Sequence, residues 1–120
     1  MINNQTATQF AKDWIAAWNS HDIEKIMNHY ASDIEFTSPM IVSILNRANG
    51  KVSGKDELRA YFLKGLEAYP ELSFEFYHAF AGVNSVVIYY KSVKNLIAAE
   101  VFILNEDGKV KTCFCNYKEV

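Results

Sequence analysis

Apolar residues recur at helical spacing in three stretches of this chain and alternate at period two through most of the rest. Phe10, Trp14, Ala17 and Trp18 share one face downstream of Thr6-x-x-Gln9, a pattern that can cap a first helix. The polar break Asn19-Ser20-His21-Asp22 ends it, and Ile23, Ile26, Met27 and Tyr30 repeat the stripe as a second, shorter helix. Ser53-x-x-Asp56 opens a third, with Leu58, Tyr61, Phe62, Gly65, Leu66 and Tyr69 on its buried face and Pro70 closing it.

Between the second and third helices, residues 34–38 read as a short strand stopped by Pro39. The next residues are apolar from Met40 to Leu45 and turn-forming from Asn46 to Gly50, a pattern that predicts a hairpin returning through Lys51-Val52-Ser53. From Glu71 the chain reads as strand: Leu72, Phe74, Phe76, His78 and Phe80 alternate with Glu71, Ser73, Glu75, Tyr77 and Ala79. Turn signals at residues 82–84, Lys94-Asn95 and Asp107-Gly108 divide off three more strands, the Asp-Gly pair being the strongest hairpin signal. Segments 85–91 and 97–104 are apolar on both faces, so strong curvature or a partner subunit must cover the second face. Three N-terminal helices packed on a strongly curved, mostly antiparallel sheet make an α+β layer fold. Helices lying across such a sheet leave a cleft suited to a ligand.

At 120 residues the chain fits one domain, spanning 1–120, with a core large enough to need no metal or disulfide staple. The net charge of −2 is spread along the sequence without a basic patch, which argues against nucleic acid or an anionic membrane as partner. No apolar run approaches the ~20 residues of a membrane span, and the first residues lack a signal-peptide pattern. Cys113 and Cys115 stand two apart, neither a zinc nor a redox spacing, and His21, His29 and His78 show no ligand spacing. A cytoplasmic protein without metal or cofactor is the expectation.

Several of these segments resemble the SnoaL-like branch of the nuclear transport factor 2-like superfamily, the relatives of ketosteroid isomerase. Residues 14–26, from Trp14-Ile15-Ala16-Ala17-Trp18 through His21-Asp22, resemble its first two helices and the turn between them. Tyr30 to Pro39 resembles its first strand, Gly54 to Phe62 the start of its third helix, and Asn105 to Val110 its final hairpin. The resemblance implies a cystatin-like cone with an internal, largely apolar pocket. It does not imply one activity, because such folds host isomerases, cyclases, dehydratases and non-catalytic binders.

Carried over by position, the isomerase roles fall on Trp14 (a tyrosine position), Ser38 (the general-base aspartate, before a proline) and Glu100 (the carboxylic acid of the oxyanion hole). An unactivated serine cannot take a proton as a carboxylate does, so steroid isomerisation is disfavoured. Glu100 interrupts the apolar run 97–104, where burial raises a carboxyl pKa and leaves it able to donate a proton; a rim carboxylate paired with a lysine such as Lys91 is the plainer alternative. His78 reads either as an acid–base partner of Glu100 or as a hydrogen-bonded core or interface residue. If Lys94-Asn95 are the central turn residues, Tyr89 pairs with Glu100 across the hairpin. Trp14, Trp18, Ser38, Met40, Tyr89, Cys113, Cys115 and Tyr117 complete the expected lining, with Trp18 also suited to the core. The expected function is binding of a hydrophobic small molecule, with isomerase-, cyclase- or dehydratase-type chemistry on a carbonyl or cyclic compound. The alternatives are a non-catalytic binder and an association module. A homodimer through the sheet face is the expected assembly.

Overall fold

The computed structural model describes residues 1–119. Helix α1 (Asn4–Ser20) starts at Asn3, whose side chain accepts the Thr6 amide, so the expected Thr6–Gln9 capping box is replaced by a cap three residues earlier. His21 ends the helix in the left-handed conformation, and Asp22 at once caps α2 (Ile23–Met27) by accepting the Glu24 and Lys25 amides. The sequence His-Asp thus makes a sharp corner in which each residue has one conformational task.

Tyr30 leaves the helical stripe and begins strand β1 (Tyr30–Thr37). The apolar run that follows is not a strand. Ser38 caps a short helix α3 (Pro39–Ile44), with Pro39 at its first turn where a missing N–H costs nothing. Strand β2 (Lys51–Ser53) does return antiparallel against β1, pairing Glu35 with Ser53 and Phe36 with Val52. Helix α4 (Lys55–Ala68) begins at Gly54, and Glu57 reaches back to accept the Ser53 amide at 2.9 Å. Strands β3 (Glu75–Ala81), β4 (Ser85–Lys91), β5 (Ile97–Leu104) and β6 (Val110–Lys118) follow. The sheet order is β2-β1-β6-β5-β4-β3, antiparallel throughout except for β1 beside β6.

The helices cover one face of this sheet. Ala7, Ala11, Trp14 and Trp18 of α1 and Leu58, Tyr61 and Phe62 of α4 are buried with Phe36, Tyr90, Phe102 and Cys113 of the strands. Trp14 is the hub: its ring stacks on Phe74 and meets Tyr90 and Phe102 edge-on, with centroids 5.2–5.7 Å away.

Two departures from simple alternation decide which residues face inward. A register shift between Phe76 and His78 makes Phe76 the last inward residue before the parity changes. His78 therefore points outward beside Tyr89, and Phe80 is 55% exposed. The turn between β4 and β5 holds five residues, Ser92 to Leu96, with Lys91 opposite Ile97. That odd loop sets Ile88, not Tyr89, opposite Glu100, and Tyr89 lies on the outer face. Phe80, Val87, Val101 and Phe114 pair in succession across β3, β4, β5 and β6, forming one apolar row on the uncovered side.

Candidate functional site

A cavity opens between α1, α3, α4 and the inner face of β4, β5 and β6. Aromatic rings build its walls: Trp14, Trp18, Phe36, Tyr61, Phe62 and Phe74. Met40 and Ile44 of α3 close one side, and Ser92 and Val93 of the β4–β5 turn another. The polar groups are few. Glu100, Tyr90, Cys115 and Tyr117 come from the sheet, and Ser38 comes from the end of β1. The free volume is about 60 Å³. An engineered cavity that admits benzene holds ~150 Å³, so a ring-sized ligand enters only if part of the wall yields. Helix α3 is the short wall element, bounded by Ser38 and by a turn in which Asn46 and Gly50 take positive φ.

Glu100 is the sole carboxylate among the described lining residues, and no histidine joins it. It is 2% exposed, set between Ile88 and Cys115 on the neighbouring strands. The Tyr90 hydroxyl donates to Glu100 Oε1 at 2.7 Å, and the Cys113 thiol donates to Oε2 at 3.0 Å. Burial raises the Glu100 pKa above the usual carboxylate range, and these hydrogen bonds only partly oppose it. The same burial, with Glu100 nearby, pushes Tyr90 and Cys113 up and holds Cys115 at about 11. Glu100 is therefore a desolvated acid, its pKa raised by burial, ringed by phenols and thiols.

Two indoles differ in their satisfaction. Trp14 Nε1 donates to the Tyr30 hydroxyl at 3.0 Å. Trp18 also lines the cavity, but its buried Nε1 has no hydrogen-bond partner. An unpaired buried donor costs roughly 1–3 kcal/mol, which a ligand acceptor would recover. Ser38 is spent on the local fold, its hydroxyl accepting the Met40 amide at 3.2 Å. It also lies beside the Tyr61 and Tyr117 phenols, slightly offsetting the burial that raises both.

Of the residues singled out in the sequence, Trp14, Trp18, Ser38, Met40, Glu100, Cys115 and Tyr117 line the cavity. Cys113 lies fully buried behind it, bonded to Glu100. Two do not belong. His78 and Tyr89 are exposed on the opposite face, for the register reasons above. The tyrosine that holds Glu100 is Tyr90, diagonal to it on the inner face. Tyr61, Phe62 and Ser92 were not singled out for the cavity; the helical stripe in α4 marks Tyr61 and Phe62 as buried without saying against what.

The sequence matches the SnoaL-like domain family over residues 11–111. The crystal structure of a SnoaL-like protein of unknown function from Burkholderia thailandensis shares 40% identity over 98% of both chains, with a TM-score of 0.94. A candidate isomerase of the SnoaL-like family from Agrobacterium tumefaciens aligns with a TM-score of 0.76 at 15% identity, over 94% of this chain and 97% of that one. A candidate ketosteroid isomerase from Kribbella flavida aligns at 0.69 and 14% identity, over 98% and 81%. The last two share the fold alone. No curated protein matches the sequence significantly.

Proposed function

Because the chain belongs to the SnoaL-like domain family, we propose that it binds a small hydrophobic carbonyl or cyclic compound in the α1–α4 cavity, with Glu100 as the hydrogen-bond or proton donor. The observation that carries this reading is the buried, Tyr90-bonded carboxyl at the end of an otherwise aromatic cavity. In its protonated form, which burial favours, Glu100 donates to a ligand oxygen, and the surrounding low polarity strengthens that bond. Trp18 Nε1 offers a second donor, so a ligand with two acceptor oxygens fits better than one with a single carbonyl. Entry of a ring-sized ligand requires part of the wall to yield, given the volume available.

A non-catalytic binder is the second reading, and one observation favours it. Ser38 occupies the position where the isomerase resemblance calls for a base, and its hydroxyl is engaged with Met40. With no second carboxylate and no histidine among the described lining residues, the cavity supplies an acid without a base. Chemistry that needs an acid and a separate base finds only Glu100 for both roles; acid-assisted steps need no second group.

Native mass spectrometry of freshly purified protein tests the binding claim, with any retained compound then used against Glu100→Gln. Loss of turnover with retained binding supports an enzyme, and a change in affinity alone supports a binder. A compound that binds equally after Glu100→Gln and Trp18→Phe would remove both donors from the account.

A further inference from the structure

We propose that Glu100, Cys113 and Cys115 form a binding site for a thiophilic divalent cation such as Zn²⁺ or Cd²⁺, with the remaining coordination position facing the cavity. One oxygen of Glu100 and the two Sγ atoms all lie within 4.8 Å of one another, and Cys113 Sγ is 3.0 Å from Oε2. Around a tetrahedral ion with the usual zinc–sulfur and zinc–oxygen bonds, such atoms stand about 3.5–3.8 Å apart. The spacings in the cluster, 3.0 Å for one pair and no more than 4.8 Å for any, span that range.

The trio is a product of register rather than of local spacing. Glu100 stands opposite Cys115, while Cys113 is opposite Phe102, two residues along on the same face. Period two therefore turns all three inward at one spot. Neither the Cys-x-Cys pair nor the glutamate suggests a site by itself, and the expectation of no metal rested on that local view.

The surroundings suit a metal cluster with excess negative charge. Two thiolates and a carboxylate on a dication carry a net charge of −1, which in an apolar interior needs donors. Tyr90 donates to Glu100 Oε1, leaving Oε2 for the ion. The Tyr30 phenol lies beside Cys113 and is itself fixed by Trp14, and the Tyr117 phenol lies beside Cys115. Volume is compatible: about 60 Å³ accommodates, with no movement of the wall, the water that completes a three-ligand ion. Sulfur donors exclude Mg²⁺ and Ca²⁺, which take oxygen ligands. On binding, the cation replaces the protons of both thiols and the carboxyl, which leave to solvent, with no change of oxidation state.

This inference does not rest on the organic-ligand reading. The two states exclude each other, since a metal-bound Glu100 has no proton to donate, and the test uses no organic ligand. Reduced, chelator-stripped protein is titrated with Cd²⁺ at pH 8, following the ultraviolet thiolate-to-cadmium charge-transfer band. The expected result is saturation at one ion per chain, loss of the band in Cys113→Ala and Cys115→Ala, and at least ~10-fold weaker binding in Glu100→Gln. Alanine keeps both cysteine sites apolar, and circular dichroism checks each fold. As an independent readout, Zn²⁺ raises the melting temperature of the wild type but not of the cysteine variants, and Mg²⁺ raises neither. No band at one equivalent of Cd²⁺, or a band that survives either cysteine substitution, overturns the proposal.

Discussion

Replacing Glu100 with glutamine should remove a pH dependence of stability that the wild type carries. The unfolded chain loses the Glu100 proton around the ordinary value of 4.5, whereas burial makes the folded protein keep it to higher pH. Below 4.5 both states hold the proton and the favourable contribution is fully present. Above 4.5 the folded state binds up to one proton more than the unfolded state, so stability falls as pH rises. The slope is at most about 1.4 kcal/mol per pH unit, a tenfold change in the folding equilibrium, and flattens once pH passes the folded pKa. Against a total of roughly 5–15 kcal/mol for a domain, each unit is a visible fraction. Glutamine has the same shape, and its amide oxygen can still accept from Tyr90, so the acid–base difference is what the substitution isolates. Urea denaturation of both proteins at half-unit steps of pH from 4.5 to 8 gives the difference curve directly. Other titrating groups cancel in it. Burial lowers His29 below 6.5, so its contribution has the opposite sign, growing as pH rises toward 6.5, but it is common to both proteins. Parallel stability curves across the whole window would show that Glu100 ionises as an exposed carboxyl does, and would refute the desolvation argument.

The two cavity indoles should respond differently to the same change. Trp14→Phe strips the hydrogen bond from Tyr30 and shrinks a side chain packed against four rings, for a loss of about 2 kcal/mol. Trp18→Phe removes a donor that already lacks a partner, so part of its packing loss is offset; equal losses in urea denaturation would contradict this. On the outer face, the Phe80–Val87–Val101–Phe114 row, with exposed Tyr89 nearby, predicts self-association. Sedimentation should give twice the 13.7 kDa chain mass, and Tyr89→Glu with Phe114→Glu should halve it. A wild-type monomer at micromolar concentration would rule the interface out.

Much of the frame was legible before any coordinates. The stripes at Phe10–Trp18 and Leu58–Tyr69, the Asp107-Gly108 turn and the alternation of β6 follow from periodicity and turn chemistry. The run at 39–44 departs from the expected hairpin because a short apolar run interrupted by one serine fits a strand or a helix equally. The Ser-Pro pair at its start is a capping signal that settles the matter, since Ser38 caps and Pro39 takes the first turn. For Glu100 the sequence left two readings, a buried acid or a rim carboxylate paired with Lys91, and its 2% exposure selects the first.

What the sequence by itself determined is the type of most elements, the α+β layering and an acid within an apolar strand whose burial it left open. Only the tertiary structure decided that burial and the acid's neighbours. Side-chain direction along a strand has period two, so a one-residue shift of register at the β4–β5 turn exchanged Tyr89 for Tyr90 at Glu100. The irregularity after Phe76 likewise sent His78 out of the site. Both steps are single-residue changes of parity, invisible to any window of sequence that does not contain the partner strand. The same cross-strand pairing brought Glu100 to Cys113 and Cys115, a grouping that no local motif displays.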